Sequence, residues 1–210
     1  MTDEILIVVG MNREARIAAP RGRVIVGTTG LTGALTLRPS AIISLGVCGA
    51  LDPVLEIGDV LIADAVVVGA RRLAADTAWT KALRAALPAS RAGDIVGGDV
   101  IVDSPGAKAA LRRASGAVGV DMESHAVALA AEAAGIPFAV LRTVSDTAGR
   151  ALPGAAVAGF KPDGEADIWA VIRALARRPW ELPALIRTGL DAERAFRTLE
   201  QAAHALAARP

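Results

Sequence analysis

Apolar residues follow two rhythms along this chain. Short unbroken runs, such as Ile5-Leu6-Ile7-Val8-Val9 and Phe138-Ala139-Val140-Leu141, alternate with stretches where Ala and Leu recur every three or four positions. The first kind reads as buried strands, the second as helices that bury one face. Together they predict strands over 5–9, 24–27, 41–45, 59–68, 94–102, 117–120 and 138–144. They predict helices over 12–18, 77–86, 105–115, 124–134, 167–176 and 182–207. Strands alternating with helices imply an α/β layer fold. No repeat or linker divides the chain, so a single domain over 1–210 is expected, with a helical tail from about 165. Gly135 suits a helix stop because glycine tolerates positive φ. Residues 150–164, rich in Gly and Pro, read as loop. The glycines of 27–33 lack dinucleotide spacing and read as a turn and helix entry.

The tail carries an apolar stripe, Leu182, Leu185, Ile186, Ala192, Phe196, Leu199, Ala203 and Leu206, opposite Arg187, Asp191, Arg194, Arg197 and Glu200. Packing on its own domain is the default reading of such a helix; a membrane surface or a partner is the alternative. Composition narrows the rest. Lys and Arg number 23 against 22 acids, which leaves no nucleic-acid footprint. The single cysteine, Cys48, permits no disulfide within the chain and sits in an apolar segment, as a buried thiol would. His125 and His204 lie far apart and form no metal-ligand cluster, so no metal is expected. The start is acidic rather than basic, unlike a secretory signal, and no apolar run reaches spanning length. A cytoplasmic location is expected, with peripheral contact at the inner membrane face as an extension.

Candidate chemistry gathers at strand ends. The strand over 138–144 runs into Ser145-Asp146, and in open α/β sheets ligands bind beyond the carboxyl ends of strands. Taken alone, the spacing fits equally well an Asp that caps the next turn. Gly10-Met11-Asn12-Arg13-Glu14 follows the first strand, where a glycine lets backbone approach a ligand. Glu14 is also consistent with an exposed first-turn acid favoured by the helix dipole. Gly97-Gly98-Asp99-Val100-Ile101-Val102 is equally readable as a plain buried strand end.

Two linked segments carry a resemblance. Val120-Asp121-Met122-Glu123-Ser124 and Arg142-Thr143-Val144-Ser145-Asp146 resemble the paired motifs of the nucleoside phosphorylase and methylthioadenosine/S-adenosylhomocysteine nucleosidase family. The likeness spans most of residues 5–146. It implies a three-layer phosphorylase/hydrolase-like α/β fold with a central mixed sheet. It places Met122 under the sugar, Glu123 on its hydroxyls, and Asp146 as general acid at purine N7, supported by Ser145 and Arg142. Asp121 stands where the family commonly has Glu. The turn at Gly10 would face the anomeric carbon, with Glu14 activating water where phosphorylases hold phosphate with arginine. Gly46-Val47-Cys48-Gly49-Ala50 resembles the family's Gly-rich turn, but Val47 replaces a usual Ser, and Ser44 replaces an arginine common in phosphorylases. Both changes weaken anion binding; Arg13, Arg16 or Arg38 remain as compensating cations. Ile101 stands where an aromatic usually stacks on the base, and main-chain groups of Val102 would read the adenine edge.

The chain is short between Gly10 and Gly46 and again after Asp64, where many relatives carry a loop over the sugar's 5′ side. That shortening implies an open pocket mouth. The tail, Arg150-Ala151-Leu152-Pro153, Lys161-Pro162-Asp163-Gly164 and Arg177-Arg178-Pro179-Trp180-Glu181-Leu182-Pro183, resembles the hopanoid-associated branch, which implies adenosylhopane as substrate. The resemblance thus implies an adenine nucleosidase without cofactor, acting on a small or lipid-linked nucleoside as a homodimer. Phosphorolysis, with phosphate in place of water, is the first alternative. A non-catalytic nucleoside- or lipid-binding module is the second, though a binder has no need of an acid and a base together.

Overall fold

The computed structural model describes residues 4–159 and 167–208. Lys161 to Gly164 of the tail segment therefore lie outside the described residues. Eight strands, β1 (Leu6–Val9), β2 (Arg23–Val26), β3 (Ile42–Ala50), β4 (Val60–Val68), β5 (Arg71–Ala74), β6 (Arg91–Gly97), β7 (Gly119–Asp121) and β8 (Phe138–Asp146), form one mixed sheet. Strand β3 pairs in parallel with β1 and β8 and antiparallel with β7. Strand β4 pairs in parallel with β6 and antiparallel with β5 and β8, and β6 lies parallel to β7. The path β3-β7-β6-β4-β8 returns to β3, so five strands close a ring. Strands β2 and β1 extend it on one side and β5 on the other.

Helices cover both faces. They are α1 (Asn12–Ala18), α2 (Leu31–Leu35), α3 (Thr77–Ala86), α4 (Pro105–Ser115), α5 (Ser124–Ala134), α6 (Gly154–Ala158), α7 (Ile168–Arg177) and α8 (Leu182–Ala202). Alternate residues of the central strands serve opposite cores. Leu6, Val8, Ile42 and Val140 pack with Leu31 of α2 and with Val127, Ala128 and Ala131 of α5. Ile7, Ile43, Leu141 and their neighbours pack with Ala18 of α1, Trp79 and Leu83 of α3, and Phe196 and Leu199 of α8. Burial on both faces explains why these strands read as unbroken apolar runs rather than alternating ones.

Four helices, α1, α3, α4 and α5, have the predicted bounds. Asp76 accepts from the Trp79 amide at 2.9 Å and starts α3; Ser104 with Pro105 starts α4. Gly116 and Gly135, at φ 71° and 64°, stop α4 and α5. Three expectations are corrected. Strand β6 ends at Gly97, not at 102, because its last rung is Gly97 on Asp121, where β7 itself ends. Part of the loop expected over 150–164 is the short helix α6. The last helix gives way at Ala203–Ala207 to a 3-10 turn.

Candidate active site

Glu14 is held at the head of α1, where its carboxylate reaches back to the turn that follows β1. Oε2 accepts from the amides of Gly10 at 2.8 Å and Met11 at 2.9 Å. That is the reciprocal half of a capping box. Capping does not account for Oε1, which accepts from the Val47 amide on β3 at 2.8 Å. The side chain is 1 % exposed. Burial pushes its pKa up to about 7, against the Arg142 guanidinium and the backbone donors and with help from the neighbouring Glu123. The exposed first-turn acid consistent with the sequence is therefore a buried carboxyl that titrates near neutrality.

Arg142 lies behind Glu14. Its guanidinium ion-pairs with Asp121, reaches Glu123 Oε2 at 3.3 Å and donates to Ser44 Oγ at 2.7 Å, all with Arg142 itself fully buried. Burial opposes its charge, but Asp121, Glu123 and Glu14 hold its pKa above the ordinary arginine value. Burial also raises the Glu123 pKa, with Arg142 working against the shift. Asp121 receives the Ser124 hydroxyl as well, which ties the start of α5 to the guanidinium. Ser44, where phosphorylases commonly place arginine, is a partner of this arginine. Space for the cluster comes from missing side chains. A Cβ on Gly10 would overlap the Glu123 carboxylate, and one on Gly46 would overlap both Glu14 and Arg142.

Asp146 belongs to a second cluster, at the end of β8. The β3–β8 register shifts between Cys48 and Gly49, so that Asp146 rather than Ser145 faces Gly49. Such a bulge re-aims a side chain; here it gives Asp146 the orientation residue 145 would have in a regular strand. A Cβ on Gly49 would sit 3.0 Å from Asp146 Oδ2. The Ser145 hydroxyl lies 3.2 Å from both the Cys48 carbonyl and Asp146 Oδ1. Arg142, expected to support Asp146, makes its hydrogen bonds with the Glu123 side of the site. The cation beside Asp146 is Lys108 of α4, fully buried and ion-paired with Oδ2.

The remaining candidates are exposed or half-buried. Met122 is 40 % exposed, next to Glu123 at the entry to α5. Ile101 and Val102 are half-buried in irregular chain after β6, where Val100 is exposed. His125 Nε2 lies 3.1 Å from Asp99 Oδ1. Cys48 is buried as a free thiol, its pKa raised by burial. Among the described residues no group of His, Cys, Asp and Glu is placed to hold a metal. Two surface hollows, one lined by Asp64, Thr80, Lys81 and Arg84 and the other by Arg72, Asp76, Glu132 and Phe138, touch neither cluster.

Sequence reasoning missed Lys108. It sits among Gly106, Ala107, Ala109 and Ala110 in a helix whose charge pattern suggests a solvated lysine, yet it is the one fully buried residue of α4. The helical pattern carries no sign of this, because the partner that buries it comes from β8.

Residues 17–177 match the phosphorylase superfamily. Among curated proteins none matches the sequence. Solved structures align over nearly the whole chain at low identity. The 5′-methylthioadenosine/S-adenosylhomocysteine nucleosidase of Neisseria meningitidis, solved with methylthio-immucillin-A, has 17 % identity and a TM-score of 0.70, covering 99 % of this chain and 97 % of its own. A futalosine hydrolase mutant of Helicobacter pylori strain 26695 has 17 % identity and a TM-score of 0.68, with 98 % and 99 % covered. The S-adenosylhomocysteine nucleosidase of Streptococcus pyogenes, solved with 5-methylthiotubericidin, has 21 % identity and a TM-score of 0.65, with 96 % and 97 % covered. The fold, the strand-end site and the match over most of the chain lead to one assignment: this protein belongs to the phosphorylase superfamily.

Proposed function

We propose that this protein hydrolyses the N-glycosidic bond of an adenine nucleoside. The observation that carries the reading is Glu14, a buried carboxyl titrating near neutrality and held by the amides of Gly10, Met11 and Val47. A base poised near the working pH is what activation of water requires. In this reading Glu14 takes a proton from water as the water attacks the anomeric carbon. Glu123, with Arg142 behind it, orients the sugar hydroxyls, and Met122 lies under the ring. Asp146 delivers a proton to purine N7, so that the base leaves neutral. Ile101 and Val102 flank the base. No cofactor takes part.

Phosphorolysis is disfavoured by the charges present. Glu14, Glu123 and Asp121 surround one guanidinium, and Arg13 is turned to Glu193 at 2.7 Å and over the Phe196 ring. A phosphate dianion would meet three carboxyls where it needs charge-assisted donors. The test is free adenine. Incubated with adenosine, methylthioadenosine and an adenosine bearing a 5′ hydrocarbon, the protein releases adenine from at least one; none from any of them overturns the reading.

The finer reading is a lipid-linked substrate, adenosylhopane, met at a membrane surface. It is supported by Trp169 and Trp180, 71 % and 73 % exposed, with Ile168, Ile172, Leu182, Ile186 and Leu190 also exposed on α7 and the first half of α8. Arg173, Arg177 and Arg187 border them. Tryptophan suits the bilayer interface, and each basic residue near anionic lipid adds about 1 kcal/mol. No described helix is long and apolar enough to cross a membrane. The expected result is co-sedimentation with anionic liposomes and a higher kcat/KM for adenosylhopane than for methylthioadenosine. Indifference to liposomes with preference for the small nucleosides removes the lipid reading and leaves the nucleosidase.

A further inference from the structure

The Asp146 cluster poses a problem that the Glu14 cluster does not. A general acid must carry a proton, yet this one is paired with a buried ammonium, which favours the carboxylate. Lys108 Nζ has three donors, and three acceptors surround it: Asp146 Oδ2, the Thr147 carbonyl at 2.8 Å and the Arg150 carbonyl at 3.3 Å. The Arg150 guanidinium itself turns away to Asp191. Buried ion pairs are weak sources of stability compared with apolar packing, so stability alone gives no reason for a lysine here.

We propose, resting on the nucleosidase reading, that Lys108 and Asp146 act as one acid, with Lys108 as the positioning residue that stores the proton Asp146 delivers. The proton leaves Nζ for the carboxylate and passes to purine N7. The electron pair of the C1′–N9 bond stays with the base, and Lys108 is left neutral. Water loses its proton to Glu14, so one proton must return to Lys108 and one leave Glu14 between turnovers. The division lets the acid still hold its proton at a pH where the base is ionised. An unperturbed ammonium gives up its proton near pH 10 and an unperturbed aspartic acid near pH 4, about six units apart. A lone aspartic acid in the ordinary range has lost its proton wherever a base titrating at about 7, as Glu14 does, is free to act. The Cys48 thiol on β3 feels both members of the pair, together with Arg142 and Asp121 of the other cluster.

The signature of a shared proton is the pH profile of kcat. With the dyad, the wild type is faster at about pH 8.5 than at about pH 6, because Glu14 is ionised and the proton is still held. A lone Asp146 acid gives the reverse order and overturns the proposal. Lys108→Met should lower kcat about a hundredfold at about pH 7.5 and move its optimum to acid pH. Lys108→Arg keeps the charge but cannot release a proton, so it too should stay slow at neutral pH. Near-wild-type kcat in either folded variant, or a Lys108→Met loss equal at every pH, overturns the proposal while adenine release by the wild type keeps the nucleosidase reading. Where neither variant folds, the wild-type profile decides; no adenine from the wild type at any pH means the nucleosidase reading itself has failed.

Discussion

The two carboxyl clusters each hold a buried cation but differ in what surrounds the carboxyl: three backbone amides at Glu14, a lysine and a hydroxyl at Asp146. Glu14 is buried beside an arginine already engaged by Asp121 and Glu123, and its pKa climbs to about 7. Asp146 is less deeply placed and has a lysine to itself. In many enzymes the carboxyl with the raised pKa is the acid and the one kept ionised is the base or nucleophile. In the proposed mechanism base and acid stand the other way round. The comparison teaches that a carboxyl's role is set by the pair it titrates with. Glu14 is ionised above about pH 7 and can then take a proton, and Asp146 has a donor behind it.

The sharpest way to break the comparison is to remove the charge that separates the two sides. Arg142→Met leaves Asp121, Glu123 and Glu14 buried around no cation. Stranding a buried charge costs about 3–5 kcal/mol, so the variant should melt far lower or fail to fold in thermal denaturation. A melting temperature close to wild type would mean the carboxyls are not held by Arg142. Next come the two carboxyls themselves. Asp146→Asn and Glu14→Gln should each keep the fold and lose about a hundredfold or more in kcat, read as adenine release. A folded variant with near-normal turnover removes its residue from the mechanism.

A smaller effect sharpens the Glu14 side. Its folded pKa lies above the ordinary carboxylate value of 4.5, so the folded state binds the proton more tightly than the unfolded chain. Its contribution to stability is fully present below pH 4.5 and is lost as the pH rises through about 7. Denaturant melts should therefore show Glu14→Gln losing less stability than wild type between about pH 5 and pH 8, the difference being on the order of a few kcal/mol. Parallel pH dependence in the two proteins would contradict a raised Glu14 pKa. Smallest is Ser145→Ala, which removes one hydroxyl beside Asp146 and should lower kcat by less than about tenfold.

Much of this arrangement was legible in the chain because its signals are local. Apolar periodicity bounded α1, α3, α4 and α5, with Gly135 as a stop, and unbroken apolar runs marked β1, β3, β4 and β8. Strand ends drew attention to Glu14, Glu123 and Asp146. What the sequence hid depends on partners distant along the chain. The length of β6 is set by where β7 stops, and β5, Arg71–Ala74, is a short polar edge with a single buried side chain, Leu73. Lys108 meets its partner at the end of β8, 38 residues further on. The apolar stripe of the tail was readable but not its division. Phe196 and Leu199 are buried on the core, whereas Leu182, Ile186 and Leu190 face outward.

The account rests most directly on water, not phosphate, as the nucleophile that Glu14 activates. The measurement is product analysis of an adenine nucleoside incubated with the protein in phosphate-free buffer and across a phosphate titration. The account predicts free adenine and a free sugar at a rate independent of phosphate. Adenine release that requires phosphate, with a sugar 1-phosphate as the second product, would contradict it.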